Sequence, residues 1–140
     1  MTLLNSVKVI FFTYLLFIPA ACAESKATSD DSVRIEKAFK EKRGDLQVRA
    51  SGKVIKVLSD DLKGSKHQRF IVKLNSGLTL LVAHNIDLAP RVEGLKVGEV
   101  IEFYGEYEWN SKGGVIHWTH KDPGKKHVDG WLIYKGKKFW

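Results

Sequence analysis

Five histidines fall between residues 67 and 127 of this chain, at positions 67, 84, 117, 120 and 127, and carboxylates accompany them: Asp60, Asp61, Asp87, Glu106, Glu108, Asp122 and Asp129. Imidazole and carboxylate together are what a divalent metal site needs. A coordination position left open on such an ion would let a bound water attack a phosphodiester. The spacing itself carries no HExxH motif and no paired-cysteine motif. His117 and His120 are three apart, and on a strand such residues face opposite sides. They can meet only if the strand ends or bulges between them. Covalent catalysis has little to work with: Cys22 is the single cysteine, no serine stands in a nucleophile-elbow context, and no glycine-rich phosphate loop precedes a helix.

Strands must position these groups. From Gln47 onward the apolar period is that of strands. Five are predicted: Gln47–Leu58 with Gly52 as a bend or bulge, His67–Leu74, Leu78–His84, Glu99–Trp109 and Gly114–Thr119. Before them, Asp31 or Ser32 can cap a short helix with Val33, Ile35, Ala38 and Phe39 on one side, ending at Gly44. Five short strands, a glycine-bent first strand and a connection between the third and fourth describe an all-β OB-like barrel preceded by a short helix.

The hairpin register is set by the apolar pattern. With Asn75-Ser76-Gly77 as a three-residue loop, Leu74 faces Leu78, Val72 faces Leu80 and Phe70 faces Val82, all on one side, while Arg69, Lys73 and Thr79 fall on the other. The same register sets Gln68 opposite His84 and His67 opposite Asn85. Asp60, Asp61, His67, Gln68, Arg69, His84, Asn85 and Asp87 are then expected to share one rim. In the second hairpin, Trp109 opposite Gly114 sets Glu106 against His117 and Glu108 against Val115.

Two sets of candidate residues follow. For a metal-assisted hydrolase, His84, His117 and Asp87 are the catalytic candidates, and His67, His84, His117, His120 and Asp122 are the ligands of a divalent ion. For a binding module, the ligand-contacting candidates are His67, Gln68, Arg69, Asn85, Arg91, Trp118 and Trp131. The competing reading is that each histidine is a hydrogen-bonded structural residue of the barrel end.

The charge favours anionic partners. The chain holds 23 Lys and Arg against 16 Asp and Glu, a net +7 with histidine neutral. Aromatic residues stand beside these cations: Tyr104, Tyr107, Trp109 and Trp118 on strands four and five, and Trp131, Tyr134, Phe139 and Trp140 in a lysine-rich tail. Rings beside cations are how OB folds hold single-stranded nucleic acid without reading its sequence. Tyr107 and Trp109, alternating with Glu106 and Glu108, are expected to fill the barrel. The tail is expected either to fold as a flap over one barrel end or to present a ligand surface.

The amino terminus has the three parts of a secretory signal: Lys8, the apolar run from Val9 to Ile18, and Ala21-Cys22-Ala23 as an A-x-A site. The apolar run is about half the roughly 20 residues a spanning helix requires. Residues 1–23 therefore read as a cleaved signal peptide, residues 24–31 as a polar tether and residues 32–140 as one barrel domain with a basic aromatic tail. The alternative is lipid attachment at Cys22, but Pro19 stands where a lipoprotein signal carries Leu, Val or Ile. Cleavage after Ala23 removes Lys8 and no acidic residue, leaving 22 basic against 16 acidic groups, or +6, and no cysteine for a disulfide. A periplasmic or secreted monomer is expected.

The segments HQRFIVKL (67–74), AHNIDLAPR (83–91), GEYEWN (105–110) and GGVIHWTHKDP (113–123), followed by Gly130-Trp131, resemble a family of short exported proteobacterial proteins known only as a domain of unknown function. The resemblance spans nearly all of residues 47–131 and implies no activity. More loosely, the chain is similar to periplasmic bacterial OB-fold proteins, which implies a small or anionic ligand; the histidine-rich rim departs from their pattern. Three functions are therefore expected in order: an exported module binding nucleic acid or another polyanion, a metal-assisted phosphodiesterase or nuclease, and a structural envelope protein without catalysis.

Overall fold

The computed structural model describes residues 30–140. The signal segment expected over 1–23, Cys22 included, and most of the expected tether lie outside the described residues. Helix α1 (Ser32–Lys40) is followed by β1 (Leu46–Val57), β2 (His67–Lys73), β3 (Thr79–Asn85), β4 (Val100–Glu108), β5 (Val115–His117), β6 (Trp131–Tyr134) and β7 (Lys137–Phe139). The pairing order β1-β2-β3-β5-β4 closes on itself through β1 and β4, with β3 and β5 parallel and the other pairs antiparallel. This is a closed five-stranded OB-like barrel.

Strand β1 makes closure possible by serving two neighbours. Its first part, Leu46 to Lys53, pairs with β4; its second, from Lys53, pairs with β2 through a bulge between Val54 and Lys56. Gly52 sits at the handover, where a Cβ would stand 2.9 Å from Val72 Cβ. A side chain there would hold the two strands apart.

The β2–β3 register is the expected one: Phe70 pairs with Val82, Val72 with Leu80, Gln68 with His84 and His67 with Asn85. Val72, Leu80, Phe70 and Val82 are fully buried, and Gly77 takes the left-handed position of the loop with φ of 95°. Tyr107 fills the barrel, its hydroxyl donating to the Gly113 carbonyl at 3.0 Å. Trp109 packs against the core and donates Nε1–H to the Phe39 carbonyl at the end of α1. In α1 itself Ile35 and Ala38 are buried, but Val33 is 79% exposed. Two residues along a helix turn by about 200°, which places Val33 away from Ile35. Asp31 stands at the helix start, where its carboxylate accepts from the Arg49 N–H rather than capping the helix.

The tail packs against the barrel. It forms two strands beyond the five expected: β6 joins the edge of β4 (Phe103 opposite Leu132) and β7 folds back on β6. Lys135 and Gly136 form the two-residue turn, both with positive φ (51° and 75°), as a tight hairpin demands. Leu132, Tyr134 and Phe139 thereby enter the core. Because Leu132 is fully buried, Leu132→Ala is expected to lower unfolding free energy by about 3 kcal/mol in urea titrations. A loss under about 1 kcal/mol would mean that the hairpin is dispensable to the core.

Candidate functional site

Strand β5 ends at His117, and the next residue, Trp118, has φ of 53°. Bulky residues rarely adopt this left-handed backbone, and where they do, surrounding contacts must impose it. Here Gly130 imposes it: its N–H donates to the His120 carbonyl at 2.9 Å, and a Cβ on it would lie 1.8 Å from the Trp118 carbonyl oxygen. The kink breaks strand alternation, so His117 and His120 open onto the same cleft despite their spacing. That cleft, of about 200 Å³, lies on the outer side of β2, β3 and β5, with Ser65, His67, Ala83, Asn85, Leu88 and Trp118 completing its lining.

Two of its rings are fixed in the same way. His67 Nδ1 donates to the Ser65 carbonyl at 2.8 Å, and His120 Nδ1 donates to the Lys121 carbonyl at 2.7 Å. A carbonyl only accepts, so in each neutral ring the lone pair sits on Nε2. Trp118 contacts His120, with ring centroids 5.3 Å apart, and stacks on His127 at 4.1 Å and 7°.

His127 leads to a second group on the outer face of β4. Its Nε2 is 2.5 Å from Glu106 Oε2 and its Nδ1 is 2.9 Å from the Val128 carbonyl. Both ring nitrogens face acceptors, an arrangement that favours the protonated ring. Burial opposes that charge, but the hydrogen bond to Glu106 and the Val128 carbonyl outweigh it and raise the pKa. His117 Nε2 lies 3.2 Å from Glu106 Oε1 in a geometry that makes no hydrogen bond, and it is buried without a partner. Glu108, next along the same face, accepts from the Asp45 N–H at 3.0 Å.

The remaining candidates divide among other places. Several of the rim groups are satisfied by neighbours outside the expected set. Asp60 takes a bidentate ion pair from Arg91 at 2.6 and 3.0 Å, Asp87 accepts from the Lys66 N–H, and Arg69 donates to the Ser59 carbonyl. Gln68 and His84 point inward, because alternation sets them on the face of Phe70 and Val82. Gln68 makes two hydrogen bonds to the Val92 backbone. His84 donates from Nε2 to the Pro90 carbonyl (3.1 Å) and accepts at Nδ1 from the Thr119 hydroxyl (2.8 Å). His84, Asp87 and His117 thus form no catalytic group, and His84 has no nitrogen free for a metal. Asp122 also departs from the expected ligand set: it is a loop anchor whose carboxylate accepts from the N–H groups of Gly124, Lys126 and His127, bonds that lower its pKa. Trp131 lies on β6 beneath Arg49 and Lys138, 5.1 and 5.0 Å from its ring centre.

Residues 16–140 match the family described as "Protein of unknown function (DUF3465)". The chain belongs to that family. No curated protein matches it. For this DUF3465 member the site is therefore read from geometry. The cleft unites His67, Asn85, His117, Trp118 and His120, while Glu106 and Glu108 join His117 from β4. Candidates chosen for histidine and tail chemistry left out His127, Glu106, Glu108 and Gln47. The register that sets Glu106 opposite His117, with Glu108 two residues on, was the available signal for the two glutamates.

The inward turn of His84 has a measurable consequence. Burial holds its pKa at about 4, with His120 and His67 adding to the fall against the Pro90 carbonyl. The unfolded chain takes up this proton near pH 6.5 and the folded one near 4, so the group contributes full stability above 6.5 and loses it as pH falls toward 4. The expected contribution to the wild-type slope is about 3 kcal/mol. In urea titrations at pH 7.5 and 4, His84→Gln should be less stable at pH 7.5 and flatter by that amount. A slope equal to wild type would contradict the buried neutral ring.

Proposed function

We propose that this protein is an exported OB-like module that binds a phosphate-bearing polyanion, with single-stranded nucleic acid as the leading class, across the outer face of β2, β3 and β5. The observation that carries this reading is the cleft itself. OB barrels bind oligomers on the face of strands two and three and on the adjoining loops. Here Ser65 comes from the loop between β1 and β2, His67 opens β2 and Asn85 closes β3. A second hollow of about 240 Å³, lined by Ile71, Thr79, Leu81 and Lys112 among others, lies further along the same outer side. From Leu81 to Asn85 the strand runs roughly 13 Å. The two hollows thus suit an extended ligand better than a compact one.

The chemistry fits an anion that is partly apolar. His67 and Asn85 offer polar contacts, Trp118 offers a ring, and the net positive charge draws a polyanion to the surface. The signal-like amino terminus supports action outside the cytoplasm, which limits the ligand to periplasmic, extracellular or surface polyanions. Among the described residues no helix is long and apolar enough to cross a membrane.

Tryptophan fluorescence during titration with a single-stranded oligonucleotide checks this. Binding is expected at low salt and should weaken steeply as salt rises, because phosphate contacts release counterions. His67→Ala and Lys112→Ala should each weaken it about fivefold. Trp131→Ala, whose ring is already covered by Arg49 and Lys138, should leave it unchanged. No binding at low salt, or affinity indifferent to salt, would contradict the proposal.

A further inference from the structure

Strands β1, β4 and β5 lay three polar residues in one row: Gln47 pairs with Glu106, and Glu106 pairs with His117. Among the described residues, the two buried side-chain atoms without a hydrogen-bond partner are Gln47 Nε2 and His117 Nε2, one on either side of Glu106. A buried polar atom with no partner is costly, and here two of them flank one carboxylate.

The ligand atoms around that place are compatible with an ion. Glu106, Glu108 and His117 each offer one, and all three lie within 4.8 Å of one another. Glu106 and Glu108 stand two apart on β4 and so share a face, where two half-buried carboxylates repel each other unless a cation intervenes. His127 donates from Nε2 to Glu106 Oε2, a contact that orients this carboxylate and leaves Oε1 facing His117. We infer that Glu106, Glu108 and His117 bind a divalent transition-metal ion at the edge of the cleft.

Each unexplained feature then has a role. The ion takes the His117 Nε2 lone pair and separates the two carboxylates, and a water on the ion accepts from Gln47 Nε2. Mixed imidazole and carboxylate donors suit Zn²⁺ or Mn²⁺ better than Mg²⁺ or Ca²⁺, which favour all-oxygen sites, or Cu⁺, which favours sulfur. His117 also lines the cleft, so an ion beside it has one side open to a ligand oxygen. The site does not depend on the polyanion reading; it would exist whether or not a nucleic acid binds next to it.

Equilibrium dialysis of the purified protein against ZnCl₂, with the metal counted per chain, tests the inference. One ion per chain is expected. Glu106→Gln and His117→Ala should each weaken zinc binding about tenfold or more, whereas His67→Ala should not. Far-UV circular dichroism of each variant verifies folding, and His117→Asn at the partly exposed cleft edge decides the matter if Glu106→Gln does not fold. Cobalt substitution should give visible absorption bands that His117→Asn abolishes. No stoichiometric zinc at micromolar protein, or zinc binding lost with His67→Ala but kept in Glu106→Gln, would overturn the inference. Oligonucleotide titration in chelator separates the two proposals, since polyanion binding on the β2–β3 face should persist there.

Discussion

A tryptophan with φ of 53° does not hold that backbone by itself, and the cleft face of this barrel depends on what holds it. Gly130 lies so close beneath the Trp118 carbonyl that no other residue fits, and its N–H fixes the His120 carbonyl. The indole stacks on His127 and also meets His120. Each contact depends on the loop from Thr119 to Gly130, which Asp122 ties down by accepting three backbone N–H groups. Without the kink, His117 and His120 would face opposite sides of β5, and the cleft would not take this shape.

The barrel interior supports the same segment from within. His84 holds the Thr119 hydroxyl and the Pro90 carbonyl, while Gln68 holds both backbone groups of Val92. Two buried polar residues thus attach the loops on either side of the cleft to β2 and β3. Their hydrogen bonds are satisfied internally, which stabilises those loops and removes both residues from ligand chemistry. The β6–β7 hairpin adds Leu132, Tyr134 and Phe139 to the core and carries Gly130 at its start. The tail therefore contributes to the site through packing rather than through its lysines.

Much of this was legible in the residues. The run from Phe70 to Leu74 against Leu78 to Val82 permits one register, because a slip of one residue would expose the apolar set. That register, and the pairing of Glu106 with His117, appear in the structure as read. Less legible was anything resting on contacts between distant loops. That His84 points inward follows from alternation, but its partners at Pro90 and Thr119 lie in irregular segments with no periodicity. The approach of His127 to Glu106 is set by a loop whose shape depends on Asp122. The last two strands were hidden by composition: Lys135, Lys137 and Lys138 read as a basic tail, a flap or a ligand surface, although Lys135-Gly136 is a competent hairpin turn. Val33 was misplaced by grouping apolar residues without their angular positions on the helix.

The central claim is that the cleft beside the Trp118 kink is the working surface of this barrel. Backbone amide shifts recorded by NMR during titration with a single-stranded oligonucleotide test it most directly. The expected result is a contiguous set of perturbed amides at Ser65 to His67, Ala83 to Asn85 and His117 to His120, with β7 unmoved. Perturbations confined to the β6–β7 hairpin and its lysines, or none at any ligand concentration, would contradict it.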